Sequence, residues 1–251
     1  MKRRSGGISW GPEVQLPVRV VRAIDDSCPY GLCDGSGFRY DEQTNTAFDC
    51  RCRAQRVAFA KARSLSAVIP RRYSDVAFDR PPVTEIDQKV VAATRRFADA
   101  IEERLAAGRG LWFMGPVGTG KTTLAMLVAK AALRAGRSVA IYSLPRLLNE
   151  IRDTHRTDRS HVDLLDRLTA VDLLQIDDVG AERTTDWVLE ELYSIVNARY
   201  EDERSMVVTT NIVDREALCE QVTERTVSRL IEMCDELPVL GHDRRLDVRL
   251  E

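Results

Sequence analysis

The chain has 251 residues, 44% of them hydrophobic, which gives room for one α/β core with a small accessory region and excludes two large domains. Its formal net charge of −2 excludes a bulk electrostatic pull toward nucleic acid or anionic membrane. The charge is uneven: up to Pro82 there are 14 Lys+Arg against 9 Asp+Glu, net +5, which leaves −7 for the rest.

Residues 1–27, with Gly6, Gly7, Pro12 and Pro17, read as a flexible or partner-binding lead. Lys2, Arg3 and Arg4 imitate the charged start of a signal peptide, but no apolar run follows them, and no stretch reaches membrane-spanning length. The expectation is a cytoplasmic protein with no membrane partner and with reduced cysteines. Residues 28–67 form a second unit, a cysteine-rich stretch followed by a basic helix over 53–67. From Arg51 to Arg72 the chain carries Arg51, Arg53, Arg56, Lys61, Arg63, Arg71 and Arg72 and no acid. That pattern suits a solvated helix face or a docking surface for nucleic acid or protein.

Residues 68–251 form the third unit. Pro70 and Pro81–Pro82 punctuate its start, and a long helix is predicted over 85–107, closed by Gly108. Short apolar strands then follow at 110–115, 138–144, 172–180, 205–212 and 237–241, separated by helical patterns that include 214–222 and 224–234. Alternation of this kind predicts a parallel sheet covered by helices on both faces.

The segment GPVGTGKTT, residues 115–123, matches G-x-x-x-x-G-K-[ST] between a predicted strand and a predicted helix. Gly115, Gly118 and Gly120 let the backbone curl so that N–H groups point at phosphate, and the helix N-terminus adds its positive end. Pro116, Val117, Thr119 and Thr123 complete the loop. Lys121 is the candidate for the β and γ phosphates, and the Thr122 hydroxyl for Mg²⁺. The strand 172–180 delivers Asp177 and Asp178 at its C-terminal end, where ligands bind in open α/β sheets. Asp177 is the second candidate Mg²⁺ ligand, and Asp178 the group that orients an attacking water. The strand 205–212 ends in Thr209, Thr210 and Asn211; Asn211, able to donate to phosphate and accept from water, is the candidate sensor. Arg225, Arg229, Arg244 and Arg245 follow, and an arginine offered across a subunit boundary can stabilise transition-state charge.

Taken together, GPVGTGKTT, DLLQIDDVG, VVTTNI, ERTVSRLIEMC and VLGHDRR resemble the bacterial DnaC/DnaI helicase loaders and the IstB-like transposition ATPases of the AAA+ superfamily. The segment IPRRYSDVAFD, residues 69–79, is similar to that family's lead-in to its ATPase core. The resemblance implies a P-loop NTPase fold of the AAA+ type with a five-stranded parallel sheet and no C-terminal helical lid. It implies ATP on residues 118–123, metal on Thr122 and Asp177, a sensor at Asn211, a trans-acting arginine finger at Arg229 and a cis-acting arginine at Arg245. Most AAA+ proteins carry glutamate where this chain has Asp178, although aspartate is common in the branch it resembles; the shorter carboxylate predicts slow, Mg-dependent hydrolysis, a switch more than a motor. Without a lid, the lead-in segment or a neighbouring subunit must close the pocket, and Tyr73 is a candidate to line the adenine.

Cys28, Cys33, Cys50 and Cys52 supply four thiols within 25 residues, with Gly31, Gly35 and Gly37 as turns. A Zn²⁺ site is expected, with unliganded reduced thiols as the alternative, because Cys50-x-Cys52 is tighter than a common zinc knuckle. Cys219 and Cys234 fall on predicted helices and read as core, and the three histidines make no metal case.

The function implied by the resemblance is ATP-dependent loading of a hexameric replicative helicase onto single-stranded DNA, with self-association into an open ring or spiral. Arg152, Arg156 and Arg159 are candidate DNA contacts. The rivals are an IstB-like regulator of DNA transposition, a small P-loop metabolite kinase, and a module that holds ATP without turning it over.

Overall fold

The computed structural model describes residues 28, 30–41, 45–53, 56, 69–154, 158–180 and 185–243, the side chains of 158–161 excepted. The expectations for residues 1–27, for most of the basic helix 53–67, and for Arg244 and Arg245 lie outside these residues. Among the described residues, no helix is long and apolar enough to cross a membrane.

Two short strands, β1 (Phe38–Asp41) and β2 (Thr46–Asp49), pair antiparallel and stand apart from the main sheet. The main sheet comprises β3 (Gly110–Met114), β4 (Val139–Ser143), β5 (Leu173–Val179), β6 (Ser205–Thr210) and β7 (Cys234–Pro238), in the order β4-β5-β6-β3-β7, all parallel. This is the predicted P-loop sheet.

Side chains alternate between its two faces with the period of two that strands require. Leu111, Phe113, Val139, Leu173 and Val207 face a core shared with α1 (Gln88–Asp99), α2 (Ile101–Ala106) and α3 (Lys121–Arg134). Trp112, Ala140, Tyr142, Leu174, Ile176, Met206 and Val208 face the opposite core. That core is closed by α4 (Leu144–Thr154), α5 (Asp158–Ala170), α6 (Asp186–Glu201), α7 (Arg215–Val222) and α8 (Glu224–Met233).

Two predicted boundaries need correction. The long helix expected over 85–107 begins only at Gln88, where the Asp87 carboxylate accepts the Lys89 N–H at 2.8 Å. It also turns at Ala100, which leaves helical geometry at ψ 24°. The bonds Ala100 N to Arg96 O and Arg104 N to Ala100 O span the turn, so the apolar face of Phe97, Ile101 and Leu105 stays continuous. The last strand lies at Cys234–Pro238 rather than 237–241, and Cys234 opens that strand instead of ending a helix. Its sequence, CDELP, has the polarity of a helix end. As an edge strand it tolerates acids that find partners at the rim. Arg109 Nη2 lies 2.5 Å from Asp235 Oδ1, and Arg215 Nη2 lies 2.9 Å from Glu236 Oε1.

Candidate functional site

The loop between β3 and α3 is held from below by its own carbonyls. Lys121 Nζ donates to Gly115 O at 2.8 Å and to Pro116 O at 2.6 Å, and Thr119 Oγ1 donates to Pro116 O at 3.0 Å. The chain after β7 closes on the same loop. A Cβ on Gly115 would lie 2.1 Å from Val239 O, and one on Gly118, where φ is +76°, would lie 1.7 Å from Asp243 Oδ1. Only glycine permits that approach. Asp243 is the last described residue of that closing segment, and Arg245 lies outside the described residues.

A cleft of about 300 Å³ opens beside the loop. Val117, Gly118, Gly120, Lys121, Thr122 and Thr123 of the loop and helix line it, together with Asp178 and Asn211 from the ends of β5 and β6. Arg72, Tyr73, Pro82 and Ile86, from the segment ahead of α1, complete it. Sequence reasoning singled out Tyr73 in this segment. It missed Pro82 and Ile86 as lining, and took Arg72 only as one of a basic run. Pocket-lining residues in an irregular segment follow no periodicity that could betray them.

Asp177 and Asp178 sit at the C-terminal end of β5, as expected. Thr122 Oγ1 lies 2.9 and 3.1 Å from the two oxygens of Asp177, so a hydroxyl and a carboxylate from elements 55 residues apart meet at one point. These are hard oxygen donors of the type Mg²⁺ selects. Burial holds the Asp177 carboxyl above the usual carboxylate range, aided by the adjacent Asp178 charge and opposed by hydrogen bonds from Thr209 and Thr122 and by Lys121. A carboxylate in that position gains from a cation, and the pair fits Mg²⁺. Asn211 Nδ2 approaches Asp178 Oδ1 at 3.4 Å, which joins the sensor candidate to the water-orienting candidate.

Arg229 does not reach this cleft within its own chain. It lies on α8, whose end leads into the start of β7 at the opposite edge of the sheet. There its guanidinium stacks 4.1 Å above the Tyr200 ring and stands 3.9 Å from Glu232 Oε1. Arg225 is exposed on the same helix. Of the candidate DNA contacts, Arg152 is described, stacked 4.8 Å from the Trp187 ring. Arg156 and the side chain of Arg159 lie outside the described residues.

The site thus combines a phosphate-type loop after β3, an acid pair at the end of β5 two places across the sheet, and a closing segment after the last strand. The family model described as IstB-like ATP binding protein matches residues 50–251. The chain belongs to this family. Among curated relatives, it is 26% identical over 178 residues to the replicative helicase loader DnaC of Buchnera aphidicola subsp. Acyrthosiphon pisum (strain APS), covering 68% of this chain and 71% of that one. To DnaC of Escherichia coli (strain K12) it is 27% identical over 147 residues, 58% of each chain. Among solved structures, the crystal structure of the DnaC helicase loader superposes with a TM-score of 0.61 at 26% identity, over 68% of this chain and 99% of that one. The replication initiator DnaA bound to AMPPCP and single-stranded DNA matches with a TM-score of 0.55 at 18% identity, over 70% of this chain and 52% of that one, a likeness of fold alone.

The IstB-like match begins at residue 50, so the cysteine cluster straddles its edge. The four sulfurs of Cys28, Cys33, Cys50 and Cys52 all lie within 4.8 Å of one another. Cys28 Sγ is 3.7 Å from Cys50 Sγ, and Cys33 Sγ is 3.6 Å from Cys52 Sγ. Zn–S bonds of ~2.3 Å in a tetrahedron put sulfurs about 3.8 Å apart, so the group could hold such an ion. Gly31, Gly35 and Gly37 all take positive φ, as their assignment to turns requires. Burial raises the Cys28 thiol, but hydrogen bonds from the backbone of Leu32, Tyr30 and Cys33 outweigh it and bring it down to about 6; burial and the other thiols push Cys52 up to about 12. Cys219 and Cys234 belong to the main core, Cys234 fully buried and Cys219 half-buried against it.

Proposed function

We propose that this chain is an ATP-dependent loader of a replicative DNA helicase, acting as a slow oligomeric switch on single-stranded DNA in the cytoplasm. The observation that carries the ATPase part is the meeting of Thr122 with Asp177 beside the loop that bears Lys121. The loader part rests on likeness to proteins named replicative helicase loader.

In this reading Lys121 leaves its loop carbonyls for the β and γ phosphates, while the backbone N–H groups of residues 115–120 and the α3 N-terminus take the remaining phosphate charge. Thr122 and Asp177 hold Mg²⁺, which when bound neutralises charge on the triphosphate. Asp178 accepts a hydrogen bond from the attacking water and polarises it, and Asn211 orients that water against the terminal phosphate. Arg72, Tyr73, Pro82 and Ile86 shelter the base and exclude solvent. Arg229 serves a neighbour's nucleotide, since it projects from the wrong edge of the sheet to serve its own, and Arg245 acts in cis. Residues 28–67 form a zinc-stapled unit ahead of an ATPase unit at 68–251, and with residues 1–27 that unit engages the helicase. The family's IstB-like description keeps one rival open, remodelling of DNA for a transposase.

The test combines ATP turnover with oligomer mass, with and without single-stranded DNA. Arg229→Ala should lower kcat by at least about 100-fold while nucleotide still binds. Mixing it with Lys121→Ala, which retains the finger, should recover activity at mixed interfaces. A monomer whose turnover ignores both DNA and Arg229 would sink the assembly mechanism. Capture of a transposase in place of a helicase would favour the rival.

A further inference from the structure

The register of β5 against β6 contains a step. Ile176 pairs with Val208, but the next pair is Val179 with Thr210, so Asp177 and Asp178 together oppose the single residue Thr209. This is a β-bulge in a parallel pair, where bulges are rare. Simple alternation would point Asp178 into the core that holds Ile176. The extra residue instead gives that core position to Val179, which is 1% exposed, and re-aims Asp178 at the cleft. The backbone takes an uncommon conformation there: Asp178 has φ +61°, a left-handed geometry that aspartate tolerates better than glutamate.

A bulge removes backbone ladder partners, and buried N–H and C=O groups must find others. Here two hydroxyls from β6 supply them. Thr209 Oγ1 accepts the Asp178 N–H at 2.9 Å and donates to Asp177 Oδ1 at 2.7 Å. Thr210 Oγ1 donates to the Val179 carbonyl at 2.7 Å. Thr209 is wholly buried and belongs to the strand between β5 and β3, so it stands between the acid pair and the phosphate loop. We infer that Thr209 is the positioning residue of this site: one hydroxyl fixes Asp177 toward the metal and Asp178 toward the water. The inference rests on the ATPase reading for its consequence, but not for the bracket itself.

The test compares Thr209→Val, which keeps the shape without the hydroxyl, with Thr209→Ser, which keeps the hydroxyl. In the protein without nucleotide, amide hydrogen exchange at Asp178 should speed up roughly tenfold or more in the valine variant and stay slow in the serine variant. The Mg²⁺ concentration for half-maximal ATP binding should rise roughly tenfold, and kcat should fall about 10- to 100-fold. KM for ATP at saturating Mg²⁺ should change less than about threefold, and serine should restore all values to within about threefold. If the valine variant does not fold, Thr209→Ala carries the same expectations. Unchanged exchange and an unchanged Mg²⁺ requirement in the hydroxyl-free variant, or a serine variant as defective as valine, would overturn the inference. A wild-type chain that binds no nucleotide while Asp178 exchange still follows the hydroxyl would overturn the ATPase reading and leave the bracket standing.

Discussion

The cysteine region and the nucleotide core hold their shapes by different means. In the core, a five-stranded sheet is buried on both faces, and residues such as Trp112, Phe113, Leu173 and Leu174 are almost wholly removed from water. In the cysteine region, seven of the eight residues of β1 and β2 are exposed, Tyr40 at 63%, and among the described residues the buried hydrophobic cluster consists of cysteines. Hydrophobic burial fixes the first; the second has too little apolar area to fix itself. Four sulfurs converge there instead, in a group that could hold a metal ion. Among the described residues the side chains of Tyr30, Phe38, Tyr40 and Phe48 are exposed, Phe38 with the Arg53 guanidinium 4.0 Å over its ring.

The largest expected effect separates the two regions outright. Structural zinc sites in small domains are worth on the order of 10 kcal/mol of folding free energy. Chelation, or Cys52→Ser, should therefore abolish protection of residues 28–53 in hydrogen exchange and release about one zinc per chain by elemental analysis. The midpoint of the main unfolding transition should move little. A cysteine region that stays protected without metal would mean that the sulfurs merely pack.

The core has its own expensive residue, and it is not in the cleft. Arg199 is fully buried, donating to the carbonyls of Leu168, Thr169, Val171, Asp172 and Ser205 at 2.6 to 3.4 Å. It joins the end of α5, the turn into β5 and the start of β6 around one cation. Burial, then the nearby Arg204, brings its pKa down to about 9. Arg199→Ala strands buried carbonyls and should cost roughly 3–5 kcal/mol, read as a lower denaturant midpoint. Nucleotide affinity of the folded fraction should hold. Arg199→Lys keeps the charge but not the planar fork, and should recover only part of the loss.

Arg199 also marks where sequence reading stops. At the end of an amphipathic helix it has the pattern of a solvated cation, and only the fold reveals what it meets. By contrast, Lys121, Thr122, Asp177 and Asp178 were legible because a phosphate loop and an acid-ended strand are local patterns with one physical use. The four cysteines were legible from composition and spacing. Thr209 was visible only as one of a polar strand-end group, since its role depends on a register step between strands more than 25 residues apart in sequence. The polar strand Cys234–Pro238 was misplaced because its acids find their arginine partners only in three dimensions.

The smallest expected effect lies at the seam between the two regions. Residues 69–86 join them and supply Arg72, Tyr73, Pro82 and Ile86 to the cleft. Besides the shared apolar core, two hydrogen bonds tie this segment to the helix that begins with Lys121: Lys130 Nζ donates to Ser74 O at 2.7 Å and to Val76 O at 2.8 Å. Burial holds the Lys130 amine below the usual lysine range, so its charge is partly withdrawn from water and directed at those carbonyls. Lys130→Met keeps the apolar stem and removes the donors. If the segment shelters the nucleotide base, the variant should bind ATP roughly 3- to 10-fold more weakly, because the wall of the site must then be ordered at binding. Its kcat at saturating ATP should stay within about threefold, since the acids and the loop are untouched. Equal weakening of ATP and of inorganic triphosphate would place the effect on the phosphate loop instead. Weakening of ATP alone would assign the segment to base recognition, and would show that the chain leading out of the cysteine region is also a wall of the nucleotide site.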